Sequence, residues 1–192
     1  MVLLSALVAL SCSTASVEDN RMDDKIRDKI ANMVHDEQGW KTQDVRVDEV
    51  EELRRAKCSI YTAGHKVRPI SYQLNYAALP GDTVVSVADD RAVGKILDAC
   101  GADAPAEWWA DIITRFHKDL GAGLVLENEK ENPGAIRKIQ AAKKEFAPPK
   151  FSSEAGGKAV TYYLLDPEAF IVYSVKAIRN KDGSVTVEKA DL

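Results

Sequence analysis

The chain has 192 residues, of which 45% are hydrophobic and 29% charged, and its formal net charge at pH 7 is −4. This composition is typical of a folded globular protein and argues against a fibre or a long disordered chain. Because the chain is mildly acidic and has no stripe of Lys and Arg, it would not concentrate phosphate groups. We therefore expect no nucleic acid partner.

An apolar segment runs from Val2 to Leu10, with Ser5 as its one polar residue. About nine residues are far fewer than the roughly 20 that cross a bilayer, but they suit the apolar core of a secretory leader. Cys12 follows closely, and a Ser/Thr-rich run then extends to Ser16. This order resembles the lipobox and tether of bacterial lipoproteins. The resemblance implies that Cys12 carries lipid and that residues 1–16 are leader and tether.

Two other interpretations of this segment stay open. Ala9 stands where lipoproteins prefer leucine, and no Lys or Arg precedes the apolar residues. The alternatives are secretion with cleavage near Ala15, and a buried N-terminal helix or strand in a cytoplasmic protein. We expect export to the periplasm or the outer surface, with membrane contact only through the leader or a lipid on Cys12.

An amphipathic helix is predicted from Arg21 to about Gly39. Its apolar residues recur at helical spacing and form one stripe, which consists of Met22, Ile26, Ile30, Met33 and Val34. We expect this stripe to cover one face of a β-sheet. Strands are predicted where apolar and polar residues alternate, at residues 58–62 and 70–76. Residues 44–53 fit a strand or a short helix, of which we favour the strand, and residues 83–87 fit a short apolar strand or an extended arm.

The middle of the chain is predicted to be helical. Helices are expected at residues 90–100, 105–116 and 135–146, with a short strand or a buried arm at 124–126. An extended, flexible connector is predicted from 147 to 157, because two consecutive prolines hold the backbone extended.

The C-terminal residues have the pattern of an antiparallel meander. Apolar residues dominate both faces of the strand at 159–165 and one face of the strand at 170–177, whose other face is mixed. Pro167 interrupts the ladder between the two strands. A tight turn at 180–183 leads to a half-solvated edge strand. Because the first two strands lack a fully polar face, helices must cover one side. A protein partner, or self-association, is expected to cover part of the other.

The order of elements predicts an α+β fold, in which the C-terminal meander and the earlier hairpin form one antiparallel β-sheet packed against several α-helices. The roughly 35 residues after the connector are too few to fold alone, so we expect residues 17–192 to form a single domain. The order loosely resembles helix-on-curved-sheet folds of the cystatin kind. That resemblance implies no function.

Three cysteines are present, at positions 12, 58 and 100. If Cys12 is lipidated, Cys58 and Cys100 remain as an even pair, which an oxidising compartment would join. The alternative is a pair of buried free thiols.

The sequence carries no catalytic, metal-binding or cofactor-binding motif. His35, His65 and His117 are not in a paired spacing such as H-E-x-x-H, and neither a nucleophile elbow nor a glycine-rich phosphate loop occurs. We therefore expect a non-catalytic protein without a cofactor or a metal. A hydrolase is the alternative, with a site assembled by folding around His117 or His65.

The leading functional hypothesis is a binding or accessory module. Trp108 and Trp109 are candidate ligand or partner contacts, since an exposed tryptophan commonly anchors an interface. The alternative is a carrier of a small apolar ligand held between sheet and helices. A tryptophan would line that cavity together with Tyr72, Tyr76, Tyr163 and Tyr173.

Overall fold

The computed structural model describes residues 15–55, 58–67, 73–121, 123–154 and 157–192. Cys12, with its predicted lipidation, and Tyr72 lie outside these residues, as does the apolar segment at the N-terminus. Within the described ranges, no helix combines the length and the apolar composition needed to cross a membrane.

The described residues form four α-helices and nine β-strands. The helices are α1 (Ala15–Gln38), α2 (Asp90–Cys100), α3 (Ala106–Phe116) and α4 (Pro133–Ala141). The strands of the first sheet are β1 (Val45–Glu49), β2 (Ser59–His65), β3 (Leu74–Leu79) and β4 (Thr83–Ser86). The strands of the second sheet are β5 (Leu124–Val125), β6 (Lys150–Glu154), β7 (Gly157–Asp166), β8 (Ile171–Asn180) and β9 (Val185–Asp191).

The strand pairs of both sheets are antiparallel, and the α+β class is confirmed. The first sheet has the order β1-β2-β3-β4. The second has the order β5-β7-β8-β9, with β6 also paired to β7. The prediction that the meander and the earlier hairpin share one sheet is wrong. The physical reason is α3, because seven of its eleven residues are buried and a helix that is apolar on most sides needs cover from two directions.

The elements stack in five layers, namely α1, the first sheet, α2 with α3, the second sheet, and α4. Successive strand residues point to opposite faces. Ile60 of β2 therefore packs with α2 and α3, while its neighbour Tyr61 packs with α1. In β7, Tyr162 lies in the core with α2 and α3, and Leu165 lies in the core with α4.

The two long C-terminal strands are sheltered on both faces, as their apolar pattern predicted. Val160 and Val175 pack with the central helices, and Leu165 and Val172 pack with α4. All four side chains are at most 2% exposed. At Leu165 and Val172, α4 therefore covers the face of the sheet that points away from the central helices.

Two element boundaries in this part of the chain differ from prediction. The connector expected at 147–157 contains β6, which forms a hairpin with the first half of β7. The last helix ends at Ala141 instead of continuing to Phe146, and Lys143 beyond it has a φ of 57°. Phe146 leaves the helix direction and stacks on Tyr163, with ring centroids 6.0 Å apart.

Cys58 and Cys100, the predicted pair, are joined by a disulfide, and their Cα atoms are 5.9 Å apart. Cys58 immediately precedes β2 and Cys100 is the last residue of α2. The bridge therefore ties the first sheet to the central helices.

Candidate functional site

A cleft of about 680 Å³ opens beside α3, at the place where the two sheets approach the same helix. Its volume lies within the range of small-molecule sites, roughly 300–1,000 Å³. Asp111, Thr114 and Arg115 line it from α3, and Glu52 and Leu53 line it from a 3₁₀ turn that follows β1. Apolar and charged side chains thus share one concave surface.

Two hydrogen bonds hold the 3₁₀ turn against α3. The indole Nε1 of Trp108 donates to the carbonyl oxygen of Leu53 over 3.0 Å, and both residues are buried. At the solvent side, Nη1 of Arg115 donates to Oε1 of Glu52, also over 3.0 Å. The turn is therefore fixed at both its apolar and its charged residues.

The opposite wall is formed by the segment that leads into β5 and by the β7–β8 turn, which contribute Gly121, Gly123, Leu124 and Pro167. Gly121 has a φ of 66°, in the left-handed region that glycine adopts readily. A Cβ on Gly123 would lie 2.6 Å from the side chain of Leu164 in β7. Glycine at this position allows the wall to approach the second sheet closely.

One carboxylate of the lining has no paired cation among the residues that the structure describes. Arg115 is paired with Glu52, whereas Asp111 makes no hydrogen bond or ion pair within the described part of the chain. Burial is the main cause that raises the pKa of Asp111 from 3.8 to about 6. Glu127 and Glu107 raise this pKa further by like-charge repulsion, and Arg115 opposes the rise.

Acidic side chains also surround the cleft beyond its lining. Burial, followed by repulsion from Glu131 and Glu107, raises the pKa of Glu127, which lies just after β5. These carboxyl groups therefore repel one another when charged, so that each ionisation makes the next less favourable.

The deepest polar group of the cleft is satisfied internally. Thr114 is 4% exposed, and its hydroxyl donates to the hydroxyl oxygen of Tyr162 over 2.9 Å. Burial raises the pKa of Tyr162, so this phenol stays neutral at physiological pH. Thr114 thus contributes an uncharged side chain, already hydrogen-bonded, to the lining of the cleft.

The two candidate tryptophans do not line the cleft. Trp108 and Trp109 are 6% and 4% exposed, so both are buried in the central core. Trp109 donates from Nε1 to the carbonyl oxygen of Gly101 over 2.9 Å, and Nζ of Lys158 lies 4.5 Å from its ring centroid. Trp108 affects the cleft only indirectly, through the turn that it holds.

The three candidate tyrosines within the described ranges do not line one cavity. Tyr76 lies in the core below α1, Tyr163 packs beside α4, and Tyr173 packs against the central core. Each therefore belongs to a different cluster. These tyrosines do not form the apolar ligand cavity that the carrier hypothesis placed between sheet and helices.

The histidines around which a hydrolase site was considered have structural partners. His117 is buried, and its Nε2 lies 3.1 Å from the carbonyl oxygen of Val185 while its Nδ1 accepts from the backbone N–H of Asp119 over 3.3 Å. His65 accepts at Nδ1 from the backbone N–H of Val67 over 3.2 Å. Among the described residues, neither ring makes a hydrogen bond to a serine or a cysteine, so no nucleophile–base pair is assembled there.

The charged residues of the cleft were missed by sequence reasoning. Asp111, Arg115 and Glu52 look like ordinary solvated charges, because nothing in their spacing shows that a turn and a helix meet. One signal was present. Glu107 and Asp111 are four residues apart on α3, a spacing at which two like charges destabilise a helix.

Comparison of the chain with protein-family models, with curated proteins and with solved structures gives no match. In the residues that the structure describes, no group of His, Cys, Asp and Glu side chains is placed to hold a metal ion. Function is therefore inferred from the geometry of the cleft.

Proposed function

We propose that this protein is an exported, non-catalytic binding module that takes a small organic molecule in the cleft beside α3. The observation that carries the proposal is the cleft itself, a concavity of about 680 Å³ with a mixed apolar and charged lining. Such a volume, with a few polar groups set among apolar ones, is the usual form of a ligand site.

The lining favours binding over catalysis. Leu53, Leu124 and Pro167 offer apolar contact. The one hydroxyl side chain of the lining, Thr114, donates its hydrogen to the hydroxyl oxygen of Tyr162, and among the described residues it makes no hydrogen bond to a base that would activate it as a nucleophile.

Export is supported by the disulfide between Cys58 and Cys100, because structural disulfides persist in oxidising compartments. The apolar run before Cys12 also supports export. Self-association through the C-terminal sheet has less support, because α4 covers Leu165 and Val172 on the face that would have to be buried.

The proposal is tested by NMR titration of the isotopically labelled protein with three probes that share an indole body, namely tryptamine, tryptophol and indole-3-acetate. We expect at least one probe to shift the amide signals of α3 and of Gly121, Gly123 and Leu124 in a saturable way. If all three leave these signals unchanged up to millimolar concentration, the cleft is not a ligand site and the proposal fails.

A variant that fills the cleft locates the binding. Leu124 lines the cleft and is 54% exposed, so Leu124→Trp should occupy the cleft and abolish the saturable shifts. Val67→Trp is the matched control, because Val67 is an exposed apolar residue outside the lining. Equal probe affinity in the two variants would place binding elsewhere and refute the proposal.

A further inference from the structure

We infer that the ligand of this cleft is an organic cation, an amine with an apolar body whose ammonium group is held by Asp111. The inference rests on the proposed function, since it assigns the chemical class of ligand to the same cleft.

The charge balance of the lining supports a positive ligand. The Nη1 of Arg115 and the Oε1 of Glu52 are 3.0 Å apart and neutralise each other. Asp111 is then the unpaired charge of the lining within the described part of the chain, and it is half-buried. A partly desolvated charge without a partner is unfavourable. An ammonium group in the cleft would supply the missing partner.

The surroundings of the cleft disfavour an anion. Glu107 on α3 and Glu127 after β5 both repel negative charge at Asp111. An anionic ligand would face these carboxylates and would also have to displace Glu52 from Arg115. An ammonium group would instead be attracted by the whole set.

The apolar lining selects an organic amine over a bare metal ion. Leu53, Leu124 and Pro167 can contact a hydrocarbon body beside Asp111. A hard metal ion needs about six converging oxygen ligands, and no group of three potential ligand side chains is found among the described residues.

Acid should weaken the binding. The carboxyl of Asp111 has a pKa of about 6, so it is ionised at neutral pH and protonated well below pH 6. The charged groups that act on it are Glu107 and Arg115 of α3, Glu52 of the 3₁₀ turn and Glu127 after β5. The affinity for an amine should therefore fall as the pH is lowered through about 6.

The experiment compares the three indole probes at neutral pH, in the wild type and in Asp111→Asn. Tryptamine should bind at least about tenfold more tightly than tryptophol, because only tryptamine brings an ammonium group to Asp111. A difference of about tenfold in Kd corresponds to the weakest hydrogen bonds that charged groups make. Asp111→Asn should raise the Kd of tryptamine by about the same factor and leave the Kd of tryptophol unchanged. Glu129→Gln is the matched control, because it removes the same charge from an exposed carboxylate outside the lining.

The outcomes separate the two proposals. If tryptophol or indole-3-acetate binds as tightly as tryptamine, or if Asp111→Asn binds tryptamine unchanged, the cleft remains a ligand site and the cationic class is refuted. If no probe binds, the proposed function itself is refuted. The thermal midpoint of each variant, measured alongside, separates loss of the contact from loss of the fold.

Discussion

Removing the disulfide between Cys58 and Cys100 should lower the free energy of unfolding by about 4 kcal/mol. The two cysteines are 42 residues apart in sequence. A cross-link restricts the unfolded chain, and its contribution rises with the logarithm of the loop, from about 3 kcal/mol for 15 residues to about 5 for 100. In a protein of this size the loss corresponds to a fall in the Tm of about 10 °C.

The assay is thermal unfolding followed by circular dichroism, with and without dithiothreitol. Cys58→Ala, Cys100→Ala and the double variant are compared in a Cys12→Ser background, so that only the bridging pair varies. Because either single substitution abolishes the bridge, the Tm of all three variants should fall by a similar amount. The decrease in the double variant should therefore be smaller than the sum of the decreases in the two single variants. Reductant should lower the Tm only where both bridging cysteines are present.

Two results would refute this reasoning. If the losses of the single variants add up to the loss of the double variant, the two cysteines act independently, as buried side chains. If reductant leaves the Tm of the protein with both cysteines unchanged, the bridge either does not form or does not restrict the unfolded chain.

Three further predictions concern the cleft and the packing around it. Asp111→Asn should stabilise the protein at neutral pH, because the ionised carboxyl is disfavoured in the folded state, where its pKa rises from 3.8 to about 6. The shift corresponds to roughly 3 kcal/mol, which solvent screening reduces to about 1. This gain in stability should disappear below about pH 4, where the carboxyl is protonated in both the folded and the unfolded state. If urea unfolding still shows the gain at that pH, the raised pKa of Asp111 is not its cause. Gly94→Ala should cost about 2 kcal/mol or more, since a Cβ would lie 1.9 Å from the carbonyl oxygen of Gly183. Gly39→Ala is the comparison, because an added Cβ at Gly39 would meet no other atom and only its φ of 70° is unfavourable for alanine. It should cost only about 1 kcal/mol. If the two variants lose equal stability in the same denaturation assay, the steric argument for Gly94 is wrong. Trp108→Phe should cost about 1–3 kcal/mol, because it leaves a buried carbonyl without its donor. An unchanged unfolding midpoint would show that this hydrogen bond does not stabilise the turn.

The local pattern of the sequence predicted several parts of the fold correctly. The period of two in β7 and β8 predicted strands that need cover on both faces, and Val160 and Leu165 show that cover on opposite sides. The helical spacing of the central segment predicted α2 and α3. The pairing of Cys58 and Cys100 was proposed by elimination, without any knowledge of their separation in space.

The cleft could not be predicted in this way. Asp111, Glu52 and Arg115 come from two elements that are far apart in sequence, and the hydrogen bond between Trp108 and the backbone of Leu53 joins those elements. The unusual pKa of Asp111 depends mainly on burial, which no sequence spacing reports. The candidate tryptophans and tyrosines that the structure describes are packing residues, because a large aromatic side chain can bury more apolar area than any other.

The sequence by itself therefore determined most of the helical and extended segments, and which side of each element is apolar, because these properties follow from the spacing of neighbouring residues. The tertiary structure alone decided which elements cover one another. It separated the strands into two sheets around α3, and it placed in a cleft a carboxylate of α3 that has no ion-pair partner among the described residues. The physical reason is that an apolar face specifies burial but not its partner, and that the cost of a charge depends on neighbours brought near it by the whole chain.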